Sequence, residues 1–138
     1  MAVQSLVRSR VDRSRLALGL ALGDVLAITG FVVAGEVRHG RDPLASPGVA
    51  AETVLVFLAG WALAALLGGL YTRDALKNVR RVLSWTVPAW VFATLLIHGA
   101  IALVSFHGGT ELAFVAVTLF VGGSIVVGWR LLGAVIAE

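Results

Sequence analysis

Residues 13–38 read RSRLALGLALGDVLAITGFVVAGEVR, an apolar run opened by Arg13 and Arg15, closed by Arg38 and interrupted by the acids Asp24 and Glu36. A helix of about 20 residues crosses a hydrocarbon core of roughly 30 Å, and residues 16–37 supply that length. The stretch does not alternate between apolar and polar, as a barrel strand would. In lipid every backbone polar group must find a partner within the chain, so a helix is what remains. The basic leader resembles that of a secretory signal, but a signal's apolar region is about 7 to 15 residues long. This run is longer and Asp24 interrupts it, so the expectation is an uncleaved first span.

Outward from this stretch, residues 49–71, 82–106 and 112–132 form three more apolar runs of spanning length. The 138 residues are 59% hydrophobic and 14% charged, with a mean hydropathy of +0.95. Soluble domains carry about a quarter of their residues charged, so a soluble enzyme is not expected. The sequence therefore predicts an all-α integral membrane four-helix bundle, a single domain over residues 1–138. There is no cysteine, which removes disulfides, thiolate nucleophiles and cysteine-based metal or haem sites.

A formal charge of +3 would suggest nucleic acid in a soluble protein, but here the cations sit in short clusters between apolar runs. That pattern points to the lipid bilayer as partner and to no nucleic acid. Arg8, Arg10, Arg13 and Arg15 precede the first span, and Arg73, Lys77, Arg80 and Arg81 lie between the second and third. Arg38 and Arg41, after the first span, are offset by Glu36, Asp42 and Glu52, and the turn at residues 105–111 has no Lys or Arg. By the positive-inside rule both termini are cytoplasmic, in a multi-pass protein of the cell membrane. Tyr71, Trp85 and Trp129 then fall at the cytoplasmic interface, where aromatic residues concentrate. The basic clusters read first as topology determinants and second as contacts for anionic head groups.

Helices in lipid associate through small residues that allow close backbone approach. Gly19, Gly23 and Ala27 in the first span match Gly60, Ala64 and Gly68 in the second, so these faces are expected to meet. Ser124 and Gly128, with Gly122, Gly123 and Gly133, form a further small-residue surface. It suits either the bundle core or a homodimer. Pro88 removes a helical donor in the third span and should bend it.

A carboxylate at membrane depth costs about 2.5 to 3.5 kcal/mol even on the mildest scale, so Asp24 needs a partner. Asp24 lies roughly 12 Å inside the first span, and Arg130, on a helix running the opposite way, can match that depth. An Asp24–Arg130 pair pinning the first helix to the fourth is the favoured reading, with a proton or ion relay as the alternative. His98 shares a helical face with Thr94 and Trp90. It reads as a neutral histidine with a local hydrogen bond, and otherwise as a relay residue with Thr94. His39, His107, Glu36, Asp42, Glu52 and Glu111 gather on the outer connections without any metal-ligand spacing. No metal, cofactor or catalytic residue is expected, and no enzymatic activity.

Several ordered motifs carry a family resemblance: Asp24 in the first helix, Gly35-Glu36-Val37-Arg38-His39-Gly40 with Asp42-Pro43 after it, Phe57-Leu58 with Gly60-Trp61, Phe106-His107-Gly108-Gly109, and Trp129-Arg130. Together they resemble an uncharacterised family of small four-helix membrane proteins of haloarchaea and actinobacteria, known as a domain of unknown function. The resemblance implies membership, with Glu36, Arg38, His39 and Gly40 as an outer motif, and no mechanism. The leading reading is a structural or accessory membrane protein, with a homo-oligomer or another membrane protein as potential partner. The alternative is a small proton- or ion-coupled transporter that uses Asp24 and works as a homodimer.

Because the chain has no cysteine of its own, introduced thiols test the orientation cleanly. Cysteines at Ser46 and Ser105 should react with an impermeant reagent in intact cells, while one at Asn78 should not. The reverse pattern would invert the topology.

Overall fold

The computed structural model describes residues 2–4, 11–104 and 112–137, and within them the chain is all helical apart from loops and one isolated bridge. The Phe106–Gly109 motif, His107 and Glu111 lie outside the described residues. Four helices are long and apolar enough to cross a membrane: α1 Arg15–Arg38, α2 Pro47–Leu67, α3 Val79–Val104 and α4 Leu112–Ala137. The α4 helix widens to a π turn over Thr118–Gly122. Large apolar side chains such as Leu22, Leu26, Leu55, Leu63, Leu95, Phe120 and Ile136 point outward on all four helices. Water would not tolerate such a surface; hydrocarbon would.

Local sequence sets the helix ends. Ser14 caps α1 by accepting from the Ala17 amide at 3.1 Å, and Asn78 caps α3 by accepting from the Arg81 amide at 2.9 Å. Pro47 opens α2, where its missing N–H costs nothing. The α1 and α2 helices both close on a glycine with positive φ, Gly40 at 77° and Gly69 at 68°, conformations that a Cβ would strain. Behind each, the next amide reaches back to a carbonyl of the last turn: Arg41 to Glu36 at 2.9 Å and Leu70 to Ala65 at 2.9 Å. These are Schellman closures. The second closure ends α2 at Leu67, short of the expected residue 71, and turns Leu70 and Tyr71 back under the bundle.

That return brings two distant segments together. Val11 bridges Tyr71, and the Asp12 amide donates to the Tyr71 carbonyl at 2.6 Å. Arg73 donates to the Asp12 carboxylate at 3.4 Å. The Ser14 hydroxyl, ahead of Arg73, holds that carboxyl below its ordinary range, so the latch holds at neutral pH and loosens only when acid protonates Asp12. The segment entering α1 and the loop between α2 and α3 thus share one end of the bundle.

The helix contacts differ from the sequence expectation. The α2 helix packs most extensively on α3, and α1 on α4. Gly23 does not face Gly60: a Cβ on Gly23 would run into the Trp129 indole of α4, and one on Gly60 would run into Ile97 of α3. Gly19 faces open space. Each buried glycine is a notch for a bulky side chain, which gains more contact than a second small residue would. Gly122, which ends the π turn, and Gly123 after it receive the Trp90 indole in the same way, while Gly128 faces outward. Trp129 and Tyr71, expected as interfacial aromatics, turn inward instead. Pro88 sits within a continuous α3.

Gly23→Ala and Gly60→Ala should each lower thermal stability in detergent, by about 1 to 3 kcal/mol as overpacked sites do, and Gly19→Ala should not. Because the two notches serve different interfaces, the losses should add. Strong coupling between them would instead mean that the two glycines face each other.

Candidate functional site

Asp24 and Arg130 are both buried, with side chains 0% and 1% exposed. They meet between α1 and α4. Arg130 Nε donates to Asp24 Oδ1 at 3.0 Å and Oδ2 at 3.1 Å, and Arg130 Nη1 donates to Thr86 Oγ1 of α3 at 3.2 Å. Thr86 in turn donates to the Val82 carbonyl at 2.6 Å. On the other side the Tyr71 hydroxyl donates to Asp24 Oδ2 at 2.6 Å and accepts from Trp61 Nε1 of α2 at 3.1 Å. The guanidinium carbon lies 5.1 Å from the Tyr71 ring centre and 5.5 Å from that of Trp61, within cation–π range. A carboxylate with three donor contacts and a guanidinium held between two rings make a compact neutral unit. Arg130 Nη2 is buried without a partner, as is Nε1 of the neighbouring Trp129.

Sequence reasoning reached Asp24 and Arg130 and missed Tyr71, Trp61 and Thr86. A signal for Thr86 was present: the stripe Trp90, Thr94, His98 continues one turn back to it at the same spacing of four. Nothing local marks Tyr71, whose position depends on the Gly69 reversal.

His98 belongs to a second polar group, nearer the other end of α3. Its Nε2 lies 3.0 Å from Thr118 Oγ1, in the π turn of α4. The Trp90 Nε1 donates to the Thr118 carbonyl at 3.1 Å. Thr94 does not bond to His98; its hydroxyl donates to the Trp90 carbonyl of its own helix at 2.8 Å. Phe114 and Phe57 meet the imidazole edge to face, at 4.8 and 6.4 Å between ring centres. Between the two polar groups stand Trp61 and Trp90, 5.8 Å apart.

Glu36, Arg38, His39 and Gly40 form the end of α1. Gly40 makes the reversal, Glu36 accepts from Arg41 at 3.4 Å, and Arg38 and His39 are exposed. This outer motif is a helix closure with a salt bridge across it. No group of three or more metal-ligating residues occurs among the described residues.

A family profile described as a protein of unknown function, DUF3054, matches residues 21–133. The chain belongs to the DUF3054 family. The match takes in Asp24, Trp61, Tyr71, Thr86, His98, Thr118 and Arg130, so both polar groups lie inside the family's domain. No curated protein and no solved structure matches the chain.

Removing one partner of a buried ion pair costs about 3 to 5 kcal/mol, whereas removing both can be nearly neutral. Asp24→Asn and Arg130→Gln should each destabilise the protein in detergent, and the double variant should be more stable than the worse single one. Tyr71→Phe strips a donor from Asp24 and an acceptor from Trp61, and should cost about 1 to 3 kcal/mol. Thermal unfolding of the four proteins against wild type measures all of this.

Proposed function

We propose that this DUF3054 chain is a non-enzymatic structural or accessory protein of the cytoplasmic membrane, with both termini in the cytoplasm. The observation that carries the reading is the closure of the Asp24 site. The carboxylate accepts from Arg130 Nε and from the Tyr71 hydroxyl, and the charge is neutralised by a guanidinium that is itself enclosed. A transport carboxylate has to meet its proton or ion from each side in turn. Asp24 is instead bound into the register of the bundle. The route toward His98 passes Trp61 and Trp90, whose indole N–H groups donate but cannot accept, so they cannot hand a proton onward. The orientation rests on Arg13 and Arg15 sharing an end of the bundle with Arg73, Lys77, Arg80 and Arg81.

The transporter alternative has one observation in its favour. Arg130 Nη2 and His98 Nδ1 are buried without partners, and a water could satisfy either.

Vesicles containing the purified protein and a pH-sensitive dye separate the two readings. With an imposed proton gradient and membrane potential, proteoliposomes should leak no faster than protein-free vesicles, and Asp24→Asn should change stability alone. A flux in the wild type that Asp24→Asn abolishes would put the transporter in place of the accessory protein.

A further inference from the structure

Two shallow grooves open on the outside of the bundle. One, of about 340 Å³, runs between α2 and α3 and is lined by Ala64, Gly68, Ser84, Trp85, Pro88 and Phe92 among others. The other, of about 360 Å³, lies between α3 and α4, with Val91, Leu119, Phe120 and Val127 in its wall. Their volumes are alike, but their charge settings differ. Neither has a basic residue in its lining, but the first begins at the end of the bundle where the loop between α2 and α3 concentrates its cations.

Helical spacing connects those cations to the groove. Arg80 lies one turn before Ser84, and Arg81 one turn before Trp85. Lys77 stands just ahead of them in the loop. The acids of this region are already engaged: Asp12 with Arg73 at 3.4 Å, and Asp74 with Arg81 at 3.8 Å. Lys77 and Arg80 are exposed and pair with no acidic side chain among the described residues. The groove below them is mostly apolar, with the small residues Ala64, Gly68 and Ala89 and the Trp85 indole in its lining. Tryptophan favours this depth, where hydrocarbon gives way to head groups.

We propose that the α2–α3 groove docks an anionic phospholipid, its acyl chain lying along Ala64, Pro88 and Phe92 and its phosphate held by Arg80 and Lys77. The two ends of the site match the two ends of that one molecule. Guanidinium suits phosphate by its forked geometry, and ammonium adds a point charge. A zwitterionic lipid fills the groove equally well and offers the same phosphate, but its own ammonium group offsets that charge and is repelled by the two cations.

The full-length protein in phosphatidylcholine vesicles tests this, with phosphatidylglycerol or phosphatidylcholine brominated on the acyl chains added at matched mole fractions. Bromine quenches tryptophan on contact, and the Trp85 share is the difference between wild type and Trp85→Phe. Trp85 should be quenched at several-fold lower mole fraction by the brominated anionic lipid than by the zwitterionic one. In the Lys77→Gln/Arg80→Gln variant that preference should disappear, since each cation near the membrane surface contributes about 1 kcal/mol of attraction to anionic lipid. Quenching by brominated phosphatidylcholine should stay unchanged, which also reports that the variant is folded. High salt should weaken the preference in wild type. Equal quenching by the two lipids, or a preference that survives the double substitution, would overturn the proposal. So would a Trp85 shielded from both lipids, the result expected if a second copy of the chain fills the groove.

Discussion

Neither Asp24 nor Arg130 could stay charged alone at its depth in this bundle, and each is buried against the other. Attraction between opposite charges strengthens as the surroundings lose polarity, and so does the penalty for leaving either unpaired. The pair therefore fixes more than the contact between α1 and α4. Thr86 brings α3 to the guanidinium, and Trp61 brings α2 to the cluster through the Tyr71 hydroxyl. All four helices thus have a polar tie to one point, and sliding any of them would break a buried or half-buried hydrogen bond. In lipid, where apolar contact between helices gains little over contact with acyl chains, such a point sets the register of the bundle.

Shape does the rest. Trp129 over Gly23, Ile97 over Gly60 and Trp90 over Gly122 and Gly123 are three cases of a large side chain entering a notch without a side chain. The notches assign neighbours as well as distances, since a bulky residue opposite a Cβ would hold the helices apart. The π turn in α4 sits where Trp90 enters, and Thr118 within it meets both the indole N–H and the imidazole. Such turns are often found at functional sites. Here the turn joins α4 to the polar stripe of α3.

The two ends of the molecule differ in kind. At one, the segment entering α1 is latched to the Tyr71 loop, so the residue that hydrogen-bonds Asp24 is held by both the backbone bridge and the Gly69 reversal. Cations collect there, around a groove that reaches into the apolar zone. At the other, the Glu36–Gly40 segment closes a helix and is tied by Arg41. A run of charged residues that looks like a motif in the chain is, in space, the wrapping of a helix end.

The number of helices, their spanning length and the Asp24–Arg130 partnership could be read from the residues alone. Twenty-residue apolar runs have few other uses, and only one pair of opposite charges could share a depth. Tertiary structure decided which faces meet. Helices apolar on every side carry no periodic signal of direction, and a glycine announces a close approach without naming the neighbour, so Gly23 and Gly60 suggested each other when their partners were Trp129 and Ile97. It also decided that Tyr71 completes the Asp24 site, because its ring reaches the carboxylate only after Gly69 has turned the chain back under helices assembled from distant parts of the sequence.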